Sequence, residues 1–430
     1  MHPGSPRFTP PGHPGAAGRR NPTAFRRAAG RSVPGYADRP YAVADPGGVM
    51  APFRHVAQLA SVLLVVGAAL GPVPAGSATR GSGADAERTA PMTARPQDSR
   101  ELAGRRIVLS YPGPTPPPAT LDAIREGRAA GVILFGENVT SPEQLAEAIS
   151  RLKRAAAEAP HPRPLLLMTD QEGGKVRRLP GAPELSARRT GAAPDPVTAA
   201  VQSGTGAAGT LAGAGLNVNL APVLDVYDTP DNFIDHFERS YGQDPTRVGE
   251  LGSAFLAAQQ SQGVAATAKH FPGLGAAARD ENTDARPVTL PVPLDQLRTR
   301  GEAPYRAAIA AGVRLVMASW AVYPALDPDR PAGFSPTVIQ GELRDRLGFR
   351  GVTITDALEA DALTPYGPTG PRAVAAAAAG MDLILCSARD PQQGEDAATA
   401  LAAALDSGAL DREAFTQAVA RVDALRAGLG

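Results

Sequence analysis

The sequence predicts an α/β fold, a (β/α)8 or TIM barrel built as a single domain over residues 101–430. Two observations predict it. Eight short apolar runs follow one another along this region, and each is followed by a polar loop and then an amphipathic or alanine-rich stretch. Continuous apolar strands that alternate with helices are typical of a parallel sheet covered on both faces. Eight such units over about 330 residues fit a closed barrel better than an open sheet.

The N-terminal hundred residues do not belong to this pattern. Residues 1–49 carry seven arginines, two aspartates and nine prolines with no apolar periodicity, which predicts a disordered or wrongly assigned upstream extension. From Met50, a positive residue, an apolar run over 56–70 and small residues at Ala75 and Ala78 indicate a secretory signal peptide over 50–78. Residues 79–100 have the composition of a linker. The protein is therefore expected to be secreted, with no stable membrane span in the mature chain.

Within the predicted barrel, the elements follow in order. The apolar runs predict strands at Ile107–Tyr111, Gly131–Phe135, Leu165–Thr169, Leu216–Leu220, Val264–Ala268, Leu315–Ser319, Gly351–Thr355 and Asp382–Cys386. Between them, "SPEQLAEAISRLKRAAAEA" opens with a Ser-Pro helix start, and "PTRVGELGSAFLAAQQSQG" closes with a glycine.

Composition excludes several classes of function. The chain has 430 residues with 43 basic and 43 acidic side chains, so no charge excess indicates nucleic acid as a partner. The single cysteine, Cys386, excludes an internal disulfide and a cysteine-based metal site. The sequence indicates neither a metal nor a cofactor, and it does not indicate an oligomeric state.

Polar residues recur directly after the predicted strands, where a barrel of this type places its active site. They are Asp170, Asp225, the pair Lys269-His270, Trp320 and Asp356. Asp356 is suited to attack a carbon centre or to stabilise positive charge, but it is equally suited to cap the next helix. In "DQEGGKVRRL", an Asp and an Arg can together hold paired hydroxyls; the alternative is a structural turn beside a basic surface. Lys269-His270 and Arg239 have an ion-pair alternative of the same kind.

Taken together, these segments resemble a known family. The ordered set "DQEGGKVRRL", "LNVNLAPVLDV", "RSYGQDP", "AKHFPG", "VMASWAVYPALDP", "LRDRLGFRGVTITDAL" and "AAAAAGMDLIL" is similar to glycoside hydrolase family 3, and most similar to its single-domain β-N-acetylhexosaminidases. The resemblance implies a carbohydrate substrate and a retaining mechanism with a covalent intermediate on Asp356. It also implies sugar contacts from Asp170, Arg178, Arg239, Lys269 and His270.

One loop departs from the family pattern. Family members read roughly KHFPGHGDTxxDSH, where an Asp-His pair supplies the general acid/base; here "KHFPGLGAAARDEN" places Asn282 at the histidine position. An amide does not exchange a proton near neutral pH. Trp320 likewise replaces a family histidine after the sixth strand and is predicted to contact substrate. Glu281 is the predicted replacement acid/base. Asp280 is predicted to orient it, with the role of acid itself as the alternative, and Asp284 on the same loop could also reach the glycosidic oxygen.

Two hypotheses follow. The first is an exo-acting β-glycosidase in which a loop carboxylate replaces the histidine. Water is the expected acceptor, and phosphate or another acceptor is a minor variant of this hypothesis. The second is a secreted sugar-binding protein of the same fold that has kept the sugar site and lost turnover. The retained Asp356 favours the first hypothesis.

Overall fold

The computed structural model describes residues 98–429, and the predicted extension, signal peptide and most of the predicted linker lie outside this range. The strands are β1 (Ile107–Leu109), β2 (Gly131–Ile133), β3 (Leu166–Thr169), β4 (Gln171–Gly173), β5 (Val176–Arg177), β6 (Val218–Asn219), β7 (Ala265–Phe271), β8 (Leu315–Ala318), β9 (Val322–Tyr323), β10 (Asp327–Pro331), β11 (Val352–Thr355) and β12 (Ile384–Leu385).

The helices are α1 (Ser99–Gly104), α2 (Pro118–Arg125), α3 (Pro142–Ala157), α4 (Ala187–Gly191), α5 (Pro196–Gly213), α6 (Phe233–His236), α7 (Pro245–Ser261), α8 (Leu294–Gln296), α9 (Ala303–Ala310), α10 (Thr369–Ala379), α11 (Pro391–Asp406) and α12 (Arg412–Ala427). Shorter 3₁₀ segments cover Gly136–Asn138, Ala332–Phe334 and Asp361–Tyr366, and π-helical segments cover Leu297–Gly301 and Thr337–Arg346.

Eight parallel strands form the barrel predicted from the sequence. Their order is β11-β8-β7-β6-β3-β2-β1-β12. A parallel bridge between Ile354 and Leu383 joins the two ends, and Thr355 N donates to Leu383 O at 3.1 Å. The predicted (β/α)8 fold is therefore confirmed, and all eight predicted runs contain a barrel strand.

All eight barrel strands differ in length from their predicted five-residue runs, and β6 and β7 are two examples. The strand β6 keeps only two residues, because the side chain of Asn217 accepts from Leu167 N at 2.8 Å and that of Asn219 accepts from Gln171 N at 2.9 Å. Side-chain amides thus take the place of ladder hydrogen bonds. The strand β7 continues three residues past its predicted end, so Lys269 and His270 lie on a buried strand rather than in the loop after it.

The long outer helices begin where the sequence places a capping residue before a proline. Side-chain oxygens of the cap residues accept backbone N–H groups at the first turn of α3, α5, α7 and α11, namely Ser141, Asp195, Asp244 and Asp390. The glycine expected to close α7 is Gly263, whose φ of 81° lies in the left-handed region that an L side chain disfavours.

At the start of the described chain, α1 begins at Ser99, two residues before the predicted boundary of the barrel domain. Over residues 98–429 no helix is both long and apolar enough to span a bilayer.

Candidate active site

A buried cluster of four charged side chains lies at the C-terminal ends of β3 and β7. Lys269 Nζ is 2.7 Å from both Asp170 Oδ1 and Glu172 Oε1. Arg239 forms a two-pronged pair with Glu172, with its Nε and Nη2 donating at 2.9 and 2.8 Å. Two cations and two carboxylates thus fix one another in place before any ligand arrives.

The pKa values of this cluster follow from burial opposed by its ion pairs. Burial alone would raise the pKa of Glu172, but Arg239 and Lys269 outweigh it and hold that pKa at about 2. Burial would lower the pKa of Lys269, and Asp170 and Glu172 instead raise it. Glu172 and Lys269 therefore stay charged across the neutral range.

Next to this cluster, the imidazole of His270 is oriented by a fully buried carboxylate. His270 Nδ1 lies 2.7 Å from Asp225 Oδ2, and His270 Nε2 lies 3.4 Å from Arg239 Nη2. An arginine side chain only donates hydrogen bonds, so Nε2 of His270 is the accepting nitrogen. Nδ1 then carries the hydrogen and donates a hydrogen bond to Asp225. Asp225 Oδ1 also accepts from Leu274 N at 2.7 Å, which ties the loop after β7 to the same carboxylate.

A hairpin of β4 and β5 presents Arg178 to this cluster. Its Nε lies 3.9 Å from Asp170 Oδ2, and its backbone N donates to Asp170 O at 3.1 Å. Within the described residues, Asp170 Oδ2 is buried and has no hydrogen-bond partner. The structure thus brings together Asp170, Arg178, Arg239, Lys269 and His270, the five residues that the family resemblance implies for sugar binding.

Asp356 lies directly after β11 and is partly exposed. Its Oδ1 accepts from the adjacent Ala357 N at 2.8 Å. The next helical segment begins only at Asp361, and its N-cap is Ala360. Asp356 therefore does not cap a helix, which removes the structural alternative that its sequence position left open.

Asp284 is the carboxyl that the structure places beside Asp356. Burial, and then repulsion from the Asp356 and Glu359 carboxylates, raise the pKa of Asp284 to about 8. The Asp284 backbone carbonyl accepts from Asp361 N at 3.1 Å, so its loop is joined to the loop that follows Asp356. Asn282 supports this position, since its Oδ1 accepts from Asp284 N at 2.9 Å.

Glu359 is a third carboxyl near this pair. It accepts from Ser387 Oγ at 2.7 Å and from Gln393 Nε2 at 3.1 Å. Burial raises its pKa, while these hydrogen bonds act in the opposite direction. The loops after β7, β11 and β12 therefore meet through acidic side chains at one end of the barrel.

Glu281 and Asp280, the two loop carboxylates preferred from the sequence, make contacts away from Asp356. Glu281 closes a local turn, with its Oε2 accepting from Ala278 N at 2.7 Å. Asp280 pairs with Arg286 at 2.8 Å, and its side chain is 82% exposed. Neither is among the groups that act on the Asp284 carboxyl, which are Asp356, Glu359, Arg239 and Asp170. In the structure it is therefore Asp284, rather than Glu281 or Asp280, that lies next to Asp356.

Trp320 also differs from its predicted role as a substrate contact. Its side chain is 1% exposed and packs against Phe334, with ring centroids 4.8 Å apart. The indole Nε1 donates to Ala357 O at 2.9 Å. Trp320 thus lies beneath the site and supports the residue that follows Asp356.

The sequence interpretation did not single out Glu172 or Glu359. A signal for Glu172 was present, because it stands two residues after Asp170 beside a Gly-Gly turn that folds the hairpin back. For Glu359, three residues after Asp356, the sequence shows no such signal. Its partners Ser387 and Gln393 come from another strand end and another helix, which only the closed barrel brings near.

The barrel and its acidic, ion-paired mouth are those of a TIM-barrel glycoside hydrolase. The chain belongs to glycosyl hydrolase family 3, whose N-terminal domain matches residues 111–425. It is 46% identical to an uncharacterized secreted glycosyl hydrolase of Arthroderma benhamiae, over 76% of this chain and 93% of that one. It is 35% identical to a beta-hexosaminidase of Stenotrophomonas maltophilia, over 61% and 78%.

Among solved structures, the fold is similar to a glycoside hydrolase family 3 beta-N-acetylglucosaminidase from Paenibacillus sp. str. FPU-7. The TM-score is 0.72 at 36% identity, and the match covers 76% of this chain and 62% of that one. The family resemblance of the sequence motifs is thereby confirmed.

Proposed function

We propose that the protein is a retaining β-glycosidase that removes β-linked N-acetylhexosamine residues, with Asp356 as the nucleophile and Asp284 as the general acid/base. The observation that carries the proposal is the pairing of these two carboxyls. Asp356 is partly exposed at the end of β11. Burial and neighbouring carboxylates raise the pKa of the adjacent Asp284 to about 8. One group is suited to attack and the other to donate a proton at neutral pH.

The reaction takes two steps. Asp356 attacks the anomeric carbon while Asp284 gives its proton to the departing glycosidic oxygen, which leaves a glycosyl ester on Asp356 and a free alcohol. Asp284, now a carboxylate, accepts a proton from water, whose oxygen attacks the same carbon. The ester bond breaks, the sugar leaves with its original anomeric configuration, and both carboxyls return to their starting states.

The cluster beneath these carboxyls supports a sugar substrate. Asp170 Oδ2 is a buried acceptor with no partner within the described residues, and Arg178 lies 3.9 Å from it. A carboxylate and a guanidinium at this distance can hold adjacent hydroxyls of one sugar ring by charge-assisted hydrogen bonds. The preference for N-acetylhexosamine is supported by the names of the bacterial relatives reported above. Secretion is supported by the signal pattern from Met50 and by the name of the fungal relative.

Asn282 favours a second candidate, a sugar-binding protein without turnover, because it occupies the position of the family's proton donor. The proposed use of Asp284 removes the need for a histidine there. In the structure the Asn282 side chain instead holds the backbone of Asp284.

The test compares an aryl β-N-acetylglucosaminide that has an activated leaving group with an unactivated N-acetylglucosamine disaccharide. We expect Asp284→Asn to reduce disaccharide hydrolysis by about 10²–10⁴-fold and to slow the aryl substrate much less, since only the disaccharide needs the proton. Azide should restore turnover of the aryl substrate and yield a glycosyl azide, because an anion needs no base to attack the ester.

The matched control is Glu281→Gln, which changes a carboxyl on the same loop and should leave both rates near those of the parent. Equal loss of both substrates in Asp284→Asn, or a selective loss in Glu281→Gln, would contradict the assignment of Asp284. A parent protein that binds the sugars but hydrolyses neither substrate would establish the non-catalytic candidate.

A further inference from the structure

A cavity of about 280 Å³ lies at the opposite end of the barrel from Asp356. It is lined by α1 and its flanking residues, the C-terminal ends of α2 and α3, the segment that enters β3, and the last turn of α12. Six basic side chains line it, namely Arg100, Arg105, Arg128, His161, Arg163 and Arg426, together with the carboxyl groups of Asp98, Glu101 and Glu126. The cavity shares no residue with the candidate active site.

Arg105 is 8% exposed, yet its hydrogen-bonding capacity is largely unused. Its Nη2 pairs with Asp423, while its Nε and Nη1 have no hydrogen-bond partner in the part of the chain that the structure describes. Nη1 lies 3.9 Å from Glu101 Oε1, which is beyond hydrogen-bonding distance. A buried guanidinium on a cavity wall lowers the stability of the fold when its N–H groups make no hydrogen bond. A ligand that accepts from these N–H groups removes that cost.

Arg426 is 5% exposed, and its hydrogen bonds go to backbone carbonyls alone. Nε donates to Pro164 O at 2.8 Å and Nη2 to Arg163 O at 3.4 Å. Among the described ion pairs Arg426 has no carboxylate, because Asp423 is shared by Arg105 and Arg163. Burial, and then repulsion from Arg163 and Arg105, lower the pKa of Arg426 to about 10. Arg105 and Arg163 thus share Asp423, and Glu101 lies 3.9 Å from Arg105, while Arg426 has no ion pair among the described residues.

Two other cations of the wall are already satisfied. Arg100 pairs with Glu395 at 3.0 Å, and Arg128 pairs with Glu395 at 2.9 Å and with Glu126. The uncompensated positive charge is therefore concentrated on Arg105, Arg163 and Arg426.

We propose that this cavity is a binding site for a phosphate group, held by Arg105, Arg163 and Arg426. Guanidinium groups match the oxygens of phosphate in geometry and charge, and an anion compensates the positive charge that Asp423 and Glu101 leave on the three guanidiniums. The cavity is larger than phosphate alone needs, so a phosphorylated small molecule also fits its chemistry. The site is separate from the proposed glycosidase reaction and does not depend on it.

The test measures binding of inorganic phosphate to the purified protein by calorimetry and by thermal unfolding, at constant ionic strength set with sodium chloride. We expect saturable binding and a Tm that rises with phosphate concentration. Arg105→Gln and Arg426→Gln should each weaken the binding about tenfold or more, since each removes a charge-assisted contact. The control is Arg154→Gln on the exposed face of α3, which should bind as the parent does.

Arg163→Gln provides a variant that is expected to fold normally, because its side chain is 37% exposed. A far-UV circular dichroism spectrum like that of the parent checks that the barrel is intact in each variant. No saturable binding in the parent, or equal binding in all three cavity variants, would overturn the proposal. If a hexose 6-phosphate binds more tightly than phosphate, the sugar part of the ligand occupies the volume that phosphate leaves. Equal binding of the two would identify free phosphate as the ligand.

Discussion

The proposed reaction needs a protonated acid next to the nucleophile, and the surroundings of Asp284 favour that form. Asp356 is partly exposed, and its Oδ1 accepts from Ala357 N at 2.8 Å. Burial, and then repulsion from the Asp356 and Glu359 carboxylates, raise the pKa of Asp284 and so favour its protonated form. The pair thus divides the roles of nucleophile and acid between two residues of the same type.

Replacement of Asp356 tests the nucleophile. Asp356→Asn keeps the shape and can still accept from Ala357 N, but an amide does not form the glycosyl ester. We expect turnover of aryl glycosides to fall by at least about 10⁴-fold, with sugar binding retained in calorimetry. Hydrolysis at the parent rate would show that the carboxylate is only structural.

The pH profile tests the acid. A general acid works only while protonated, so a pKa raised to about 8 predicts that kcat/KM for the disaccharide is level over the neutral range and falls about tenfold per pH unit above pH 8. Glu359→Gln removes one of the three carboxylates that raise this pKa and should move the alkaline limb to lower pH. Glu281→Gln should leave the limb in place, and a limb that moves in both variants would argue against Asp284.

Glu172 tests the buried ion cluster. Glu172→Gln leaves Lys269 with one carboxylate and Arg239 without its two-pronged partner, so we expect a loss of about 3–5 kcal/mol in the free energy of unfolding. Because folding lowers the pKa of Glu172 to about 2, its contribution is complete above its unfolded value of about 4.3 and is lost as the pH falls towards 2.

Urea unfolding of parent and variant at several pH values measures this difference. It should be largest near neutral pH and shrink in acid. Glu147→Gln, which removes an exposed partner of Arg154, serves as the control and should change stability by less than about 0.5 kcal/mol. A Glu172 effect as small as the control would mean that the cluster does not stabilise the fold.

At the scale of elements, strands were predictable where burial on both faces leaves a continuous apolar run. The run Leu315–Ser319 became β8 almost unchanged for this reason. The loop after β7 was not predictable in the same way. Its sequence places Asn282 at the position of the family's histidine, but the direction of each side chain depends on backbone hydrogen bonds from Asp361 and Ala362 to Asp284 and Thr283, which lie far away in the chain. The sequence alone therefore did not show which loop carboxyl lies next to Asp356, and the preference for Glu281 over Asp284 stays a prediction that the two variants test.

Trp320 shows how one element supports another. Trp320→Phe keeps ring packing against Phe334 but removes one of two donors to Ala357 O, which still accepts from Ala360 N at 3.1 Å. We expect a loss of about 0.5–1.5 kcal/mol in stability and a fall in kcat that exceeds any change in KM, since the backbone next to Asp356 is affected. Phe334→Leu is the control for packing alone. A change confined to KM would return Trp320 to the role of substrate contact.

At the scale of the whole molecule, the barrel closes through its own strands, and the described fold begins with α1. The composition of the sequence did not show that α1 packs on the domain's C-terminal helices. Ser99 Oγ donates to Asp406 Oδ1 at 2.5 Å and accepts from Arg412 Nη2 at 2.6 Å. These partners lie about 300 residues away, so no local pattern contains them.

Truncation at this boundary tests whether α1 belongs to the fold. A chain that starts at Asp98 should unfold in one cooperative transition and keep the activity of the longer protein, because every barrel strand is present. A chain that starts at Arg105 loses Leu102, which is 2% exposed, and uncovers the apolar surface of α11 that α1 contacts. Burial of a leucine side chain contributes about 1.5–3 kcal/mol, so the second chain should be less stable by at least that amount in urea unfolding. Equal stability of the two chains would place the start of the folded domain after α1.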